Sequence, residues 1–303
     1  MLPCSPSNDL RRKMKKIAVG IVLVLGFASL QTAQAEVKPS IAIIDTAIDS
    51  TAPQLQGKII HEVCVMEEMR CPNGKAFQEG PGSATISVPQ VYSNGWDHGT
   101  IMASVATQVN PNINIVFIRV VPMVVKTGKQ STYSQFAVID ALNWVANNKD
   151  KFNIVATSAS MGHHKLKTGA NYCPVHTSLR DSIVKLQGIN VATIFATGNN
   201  YDYSRVDYPA CIAEAIAVGA TDKSNRIALY GNSGLEVDFF ALGNYTVNNK
   251  NVVGTSASTA AFASYWAKSY AGSYQSTLDL LRSKAKPAEN EKVKTTAFVD
   301  ILG

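Results

Sequence analysis

The chain has 303 residues, of which 46% are hydrophobic and 17% charged, so it can bury a substantial core and is not a disordered protein. Its formal net charge is +6, but five basic residues stand together in residues 11–16. Without residues 1–35 the chain keeps 23 basic and 21 acidic residues, a net charge of +2. So small a charge argues against a nucleic-acid surface, and no nucleic-acid partner is expected.

Residues 1–35 have the pattern of a bacterial export signal. The basic cluster is followed by the apolar run Ile17–Leu30, and Ala33-Gln34-Ala35 supplies small residues at −3 and −1 of a cleavage site. The alternative is a membrane anchor, but the run is shorter than the roughly 20 residues of a spanning helix. We expect Sec-dependent export to the periplasm or the cell exterior, with no stable anchor after cleavage. Met14 is an alternative start of this signal.

Four cysteines follow the cleavage site, an even number in a chain bound for an oxidising compartment: Cys64, Cys71, Cys173 and Cys211. Sequence proximity favours the pair Cys64–Cys71, and the loop positions of the other two favour Cys173–Cys211, although four cysteines allow three connectivities. The alternative is a zinc site. It lacks a Cys-x-x-Cys motif, and His163-His164 are adjacent rather than at helical spacing, so no metal is expected.

Short apolar runs alternate with amphipathic stretches along residues 36–303. The runs are typical of buried strands: Ser40–Asp45, Ile113–Val121, Phe152–Ala156, Asn190–Ala196 and Ala213–Gly219. The stretches have apolar residues near helical spacing: Thr100–Val109, Gln135–Asn147 and Leu179–Gln187. This alternation predicts one α/β domain with a mostly parallel central sheet flanked by helices.

Four short polar motifs follow strands or open helices, where ligands bind in such sheets. In chain order they are Asp45-Thr46-Ala47, His98-Gly99-Thr100, Ala196-Thr197-Gly198-Asn199 and Gly254-Thr255-Ser256. Each alone is weak, because acids end strands as turn residues and Gly-Thr-Ser commonly caps helices. Together they have the order Asp, His, Ser, which is also the order of subtilisin and differs from that of chymotrypsin.

The segments around these motifs resemble blocks of the subtilase family in the same order. They are Ile43–Thr46, Asp97–Thr100, Ser158–Gly162, Phe195–Asn199, Asp207–Pro209, Ala215–Asp222 and Val253–Ser256. They span nearly all of residues 40–270. The resemblance implies a three-layer subtilisin-like fold, serine endopeptidase activity and a polypeptide substrate.

The resemblance also implies a catalytic role for each matched polar residue. Ser256 would be the nucleophile, His98 the base that accepts its proton, and Asp45 the carboxylate that holds the imidazole tautomer. The side-chain amide of Asn199 and the backbone N–H of Ser256 would form the oxyanion hole.

Substrate-binding residues follow from the same resemblance. Ser160-Met161-Gly162 would form one wall of the S1 pocket and Ala196-Thr197-Gly198 the other, with the peptide adding as a strand. Asp207 would lie deep in that pocket and favour basic P1 residues. A second edge strand is expected around Ser131-Thr132-Tyr133, and Met161 has the alternative of a plain core residue.

The chain departs from the family pattern at several places. Ala47 and Ile101 replace the family's Gly and His, and the helix after Ser256 lacks its early proline. Asp45 is only the tenth residue after the predicted cleavage site, so no folding propeptide is expected. Gln54 stands where the family often has a calcium-binding Asp, which leaves calcium unsupported at that site.

Three functions remain open on this basis. The preferred hypothesis is an active, monomeric endopeptidase without a cofactor. A separate inhibitor or foldase chain is a candidate partner of this enzyme. The first alternative is a subtilase-fold binding or regulatory protein with little turnover. The second is an unrelated α/β periplasmic solute-binding protein, which would leave the four motifs unexplained.

Overall fold

The computed structural model describes residues 38–67, 71–92, 95–122, 133–163, 173 and 176–300, without the side chains of 295–298. The predicted export signal lies outside the described residues, as do Ser131, Thr132 and His164.

The described residues form twelve strands and six helices. The strands are β1 (Ser40–Asp45), β2 (Ile59–Val65), β3 (Phe77–Glu79), β4 (Asn114–Arg119), β5 (Ile154–Ala159), β6 (Ala192–Ala196), β7 (Ile216–Thr221), β8 (Phe239–Leu242), β9 (Asn244–Val247), β10 (Lys250–Val253), β11 (Lys286–Glu289) and β12 (Lys294–Phe298). The helices are α1 (Val88–Val91), α2 (His98–Val109), α3 (Gln135–Phe152), α4 (Thr177–Gly188), α5 (Thr255–Lys268) and α6 (Tyr274–Lys284). Within this described part, no helix is long and apolar enough to cross a membrane.

Ten strands form one sheet in the order β11-β12-β8-β7-β6-β5-β1-β4-β2-β3. Strands β12 to β2 of this series pair in parallel, and the edge strands β11 and β3 pair antiparallel. The strand order reverses between β1 and β5. In parallel sheets such a switch point opens a crevice at the carboxyl ends of the strands.

Helices cover both faces of the sheet. Buried side chains of α2 and α5 share one apolar cluster with Ile41 and Ile43 of β1, whereas those of α3 and α4 share another with Ala42 and Ile44. Alternate residues of β1 therefore point to opposite helical layers, and every residue of this strand is buried. The fold is the predicted three-layer α/β arrangement.

Predicted segments differ from the observed elements on both sides of α3. The strand expected over Phe152–Ala156 is β5, Ile154–Ala159, because α3 continues to Phe152 and ends at Asn153 in a left-handed conformation. Tyr133, the described residue of the expected second edge strand, lies outside any strand and just before α3.

Candidate active site

Asp45 and His98 meet at the carboxyl edge of the sheet. Asp45 is the last residue of β1 and is 2% exposed. Its Oδ1 lies 2.7 Å from Nδ1 of His98, the first residue of α2, and also accepts the backbone N–H of Thr46 at 2.7 Å. The carboxylate is therefore fixed by its own chain and holds one ring nitrogen of the imidazole.

The start of α2 is held tightly against the end of β1. The Thr46 hydroxyl donates to the carbonyl of Trp96 at 3.1 Å and accepts the N–H of Gly99 at 3.0 Å. A Cβ on Gly99 would lie 2.6 Å from the carbonyl oxygen of Ala47, so only glycine permits this approach. These contacts bracket His98 on both sides.

The environment of His98 raises its pKa above the ordinary value of 6.5. Desolvation lowers the pKa, but the charge of Asp45, the hydrogen bond to it and the charge of Asp97 together outweigh that effect. The side chain is 36% exposed, so the ring reaches solvent while its Nδ1 is held inside. The raised pKa means that the neutral, proton-accepting form of His98 is lost at a higher pH than in a free histidine.

Ser256 lies in the first turn of α5, and α5 lines up with α2. Both helices begin at the carboxyl edge, since α2 contacts the end of β1 and Thr255 contacts Asn199, three residues past β6. The hydroxyl of Ser264 donates to the carbonyl of Ala106 at 2.6 Å. These two residues stand eight positions after Ser256 and His98, so the bond joins the two helices at the same number of residues from the serine and from the histidine.

The Ser256 hydroxyl makes no hydrogen bond to any residue in the described part of the chain, His98 included. The structure thus joins Asp45 to His98 but does not join His98 to Ser256. Hydrogen bonds of this kind are often long in the absence of substrate and shorten in the reacting complex.

Asn199 is anchored to α5 by its oxygen. Its Oδ1 accepts from the backbone N–H of Thr255 at 2.9 Å and from the Thr255 hydroxyl at 3.1 Å. The amide nitrogen makes no hydrogen bond with the described residues, and the N–H of Ser256 is one of the first amides of α5, which have no partner inside the helix. A carbon placed as Cβ on Gly254 would lie 3.6 Å from Asn199 Nδ2 and 3.8 Å from Ser256 N. One side-chain donor, the amide of Asn199, and one backbone donor, the N–H of Ser256, therefore border the same small space.

The predicted pocket walls lie beside these groups. Ser160 follows β5, is buried, and its hydroxyl donates to the carbonyl of Ser256 at 3.0 Å. Met161 is half-buried and packs against the α3–α4 core cluster, which fits its alternative as a core residue as well as a wall position. Gly162 packs against Asp207, where an added Cβ would lie 3.0 Å from the Asp207 Cβ.

The second predicted wall of the S1 pocket, Ala196-Thr197-Gly198, begins at the last residue of β6. Thr197 is fully buried, with its N–H bound to Val218 and its hydroxyl to the carbonyl of Asn232 at 2.9 Å. Gly198 has a φ of +101°, and a Cβ there would overlap the Asp207 carboxylate. The structure thus brings both Gly162 and Gly198 against the side chain of Asp207.

Asp207 is an 8% exposed carboxylate held by amides. Its Oδ1 accepts from Asn232 Nδ2 at 2.9 Å and its Oδ2 from Asn200 Nδ2 at 3.0 Å. Its backbone N–H donates to the carbonyl of Thr197, which ties it to the wall. The motif matches did not identify Asn200 and Asn232, because neutral amides in loops have no distinctive sequence pattern.

Both predicted disulfides are present in the structure, Cys64–Cys71 and Cys173–Cys211. The second closes next to the candidate pocket, since the N–H of Cys211 donates to the carbonyl of Asp207. Gln54 donates from its amide to the hydroxyl of Ser104 at 3.0 Å, and the expectation that calcium does not bind at this position stays untested.

Comparison with known proteins finds the same fold among peptidases. A lanthipeptide protease superposes with a TM-score of 0.65 at 16% identity, covering 87% of this chain and 85% of its own. The prenylagaramide maturation protease PagA gives 0.61 at 20% identity, covering 86% and 88%. At these identities the superpositions establish the fold alone.

Sequence relatives are serine proteases of similar pattern. Subtilisin E of Bacillus subtilis is 27% identical over 210 residues, which cover 67% of this chain and 46% of the relative. A cuticle-degrading serine protease of Orbilia oligospora is 30% identical over 161 residues, covering 52% and 34%. The chain thus spans about half the length of the curated relatives it matches first. The profile of the Subtilase family matches residues 37–296, and the chain belongs to the subtilase family.

Proposed function

We propose that this chain is an exported serine endopeptidase that hydrolyses peptide bonds through an acyl-enzyme on Ser256. The observation that carries the proposal is the 2.7 Å bond between Asp45 and His98 at the start of α2, a helix in register with the one that carries Ser256. Family membership supports the same reaction. The solute-binding alternative has no support from the family match.

The reaction would use the free nitrogen of the His98 ring. His98 Nε2 would take the proton of the Ser256 hydroxyl as its oxygen attacks the scissile carbonyl, and would then protonate the leaving amine. Asp45 would keep Nδ1 protonated and stabilise the imidazolium. Water, activated by the same imidazole, would hydrolyse the acyl-enzyme in the second half of the cycle.

Negative charge on the tetrahedral intermediate would be stabilised by two fixed donors. The Asn199 amide and the Ser256 N–H border one small space, and Thr255 anchors the oxygen of Asn199 so that its NH2 is presented rather than free to flip. Donors held in place before the reaction need no reorganisation when the charge develops.

The substrate would be an extended polypeptide that pairs with Ser160–Gly162 and inserts its P1 side chain between Gly162 and Gly198. The side chain of Asp207 lies against both glycines, so we propose a preference for Lys or Arg at P1. The side-chain amides of Asn232 and Asn200 orient the two oxygens of this carboxylate.

Export and oxidative folding complete the proposal. The two disulfides fit an oxidising compartment, and the segment before residue 36 has the pattern of a cleaved signal.

A fluorophosphonate probe tests the reaction directly. Disulfide-intact residues 36–303 should take up the probe at Ser256 and cleave unfolded casein, and Ser256→Ala should do neither. Ser283→Ala, which replaces an exposed serine of α6, is the matched control and should keep both activities. If folded wild-type protein neither takes up the probe nor cleaves casein, the binding or regulatory alternative replaces this proposal.

Matched peptides test the P1 preference. We expect a higher kcat/KM with Arg than with Phe at P1, and a reduced Arg-to-Phe ratio in Asp207→Asn, which keeps shape and removes charge. Asp181→Asn, a surface change on α4, should leave the ratio unchanged. A strong preference of the wild type for Phe would reject a role of Asp207 in binding basic side chains.

A further inference from the structure

Arg119 is a buried cation that the reaction described above does not use. It ends β4, is 2% exposed, and has no carboxylate within 4 Å among the residues that the structure describes. Burial lowers its pKa to about 10, so it still carries a charge at neutral pH. Burying an unpaired charge is strongly unfavourable, and an apolar side chain would avoid that cost.

The guanidinium joins three separate segments. Its Nε donates to the carbonyl of Val121 and its Nη1 to that of Thr85, both at 3.3 Å. Its central carbon lies 5.1 Å from the ring centroid of Trp96, in cation–π geometry. A planar guanidinium can stack on a ring and donate to two carbonyls at once, which the ammonium group of lysine cannot do.

The Trp96 contact leads directly to His98. Trp96 is fully buried and stands two residues before His98. Its carbonyl accepts from the Thr46 hydroxyl, which in turn accepts the N–H of Gly99 on the far side of the histidine. Thr46 therefore ties the backbone on both sides of His98, and the ring of Trp96, which begins this segment, is packed against Arg119.

Arg119 is also a neighbour of Asp45 in the sheet. Arg119 and Asp45 are Cα partners at the ends of the adjacent parallel strands β4 and β1. The strand that orients the imidazole through Asp45 and the strand that supports it through Trp96 thus end side by side.

We propose that Arg119 is a positioning residue that, through Trp96 and the Thr46 bridge, holds the His98 imidazole at the angle needed for proton transfer from Ser256. The proposal rests on the endopeptidase function proposed above. Misplacing a catalytic group by about 1 Å can cost roughly a hundredfold in rate. A purely structural role would instead lower stability and leave each folded molecule fully active.

The test measures kcat and KM per active molecule, with active sites titrated by the fluorophosphonate probe. Arg119→Met should lower kcat about 10- to 100-fold and change KM about twofold or less. Arg119→Lys keeps the charge but loses the planar group that stacks on Trp96, so its kcat should lie between those of Arg119→Met and the wild type. Trp96→Leu should resemble Arg119→Met, and the double variant should lose little more than the worse single variant, because both act through one connection.

Two controls separate positioning from stability. Arg282→Met removes an exposed arginine of α6, and Phe239→Leu disturbs the core at β8; both should keep the wild-type kcat per titrated site, whatever their Tm. Arg119→Lys carries the test if Arg119→Met does not fold.

The outcomes are distinguishable. Wild-type kcat per titrated site in Arg119→Lys and Arg119→Met, or fully multiplicative losses in the double variant, would overturn the positioning role while wild-type turnover upholds the endopeptidase. A wild type that neither binds probe nor turns over substrate would overturn both.

Discussion

The starts of α2 and α5 occupy the same edge of the sheet but are held in different ways. At α2, His98 is bonded to Asp45, and the Thr46 hydroxyl bridges the residues around it. At α5, the N-cap residue is Gly254, which has no side chain to cap the helix. The first turn is held mainly by the hydrogen bond from the N–H of Thr255 to the side-chain oxygen of Asn199. Ser256 itself has no side-chain hydrogen bond to the described residues.

The difference fits the chemistry proposed for each end. A general base must be held in one tautomer and one orientation before substrate arrives, whereas a nucleophilic hydroxyl must move through the reaction and exchange its partner. Among the described residues the amide donors near Ser256 similarly have no partner, and in the proposed reaction the substrate oxyanion would satisfy them. The α2 end is thus held in place by the protein, and in this proposal the substrate would complete the α5 end.

The largest effects should come from removing the groups that act between the two helix starts. Ser256→Ala and His98→Ala should each lower kcat by several decades, and the double variant should lose little more, because the residues act as a unit. Asp45→Asn should also lose several decades, since it would favour the wrong imidazole tautomer. The measurement is kcat on a chromogenic peptide.

His176→Ala, at an exposed position before α4, is the matched control and should retain activity. Multiplicative losses in Ser256→Ala/His98→Ala would mean that the two helix starts work independently. Turnover that is indifferent to all of these changes would identify a contaminating protease.

A smaller loss should follow from weakening the α5 end alone. Asn199→Leu should lower kcat by roughly 10²–10³ with little change in KM, because its hydrogen bond strengthens as the oxyanion forms. Thr255→Val keeps the backbone hydrogen bond to the Asn199 oxygen and removes the one from the hydroxyl. Because a neutral hydrogen bond contributes about 1 kcal/mol, kcat should fall about fivefold.

Steady-state kinetics of the two variants separates the roles. If Asn199→Leu raised KM and left kcat unchanged, Asn199 would bind substrate rather than the transition state. If Thr255→Val were as damaging as Asn199→Leu, the hydroxyl would have a role of its own at Ser256.

The smallest effect should appear in the pH dependence of the α2 end. Since the pKa of His98 is raised above 6.5, kcat/KM should fall as the pH drops through a midpoint above that value, where the imidazole becomes protonated. Asp97→Asn removes one of the charges that raise this pKa, so the acid limb should move slightly to lower pH. Asp279→Asn removes a charge from α6 and should leave the limb in place. A limb that moves upward in Asp97→Asn would contradict the assignment of its cause.

The site was predictable to the extent that its residues stand in short local motifs. Asp45, His98, Asn199 and Ser256 each follow a strand or open a helix, and local sequence is sufficient to recognise those positions. Arg119 could not be found in this way. It stands as a single charged residue inside the predicted strand Ile113–Val121, and its burial depends on Trp96 and Thr85 from other segments.

The fold shows the same limit. The strands β1, β4, β6 and β7 are buried on both faces and are apolar almost throughout, so their pattern predicted them. The strand β2 was not predicted, because His61 and Glu62 interrupt its apolar pattern. Glu62 is nevertheless buried and accepts the N–H of Ala84 at 3.1 Å, a partner 22 residues away. The hairpin of β11 and β12 was missed for a related reason, since the sequences Lys-Pro-Ala-Glu and Lys-Thr-Thr-Ala-Phe have few apolar residues.

By itself the sequence determined the α/β class, the order of the polar motifs and an even number of cysteines in the chain after residue 35. These depend on local periodicity and on residue identity, which the chain carries whatever its conformation. Only the tertiary structure decided the register of α2 against α5, the packing of Gly162 and Gly198 against Asp207, and the burial of Arg119. Each of these joins segments far apart in the chain, so its geometry depends on how the whole sheet and its helices pack.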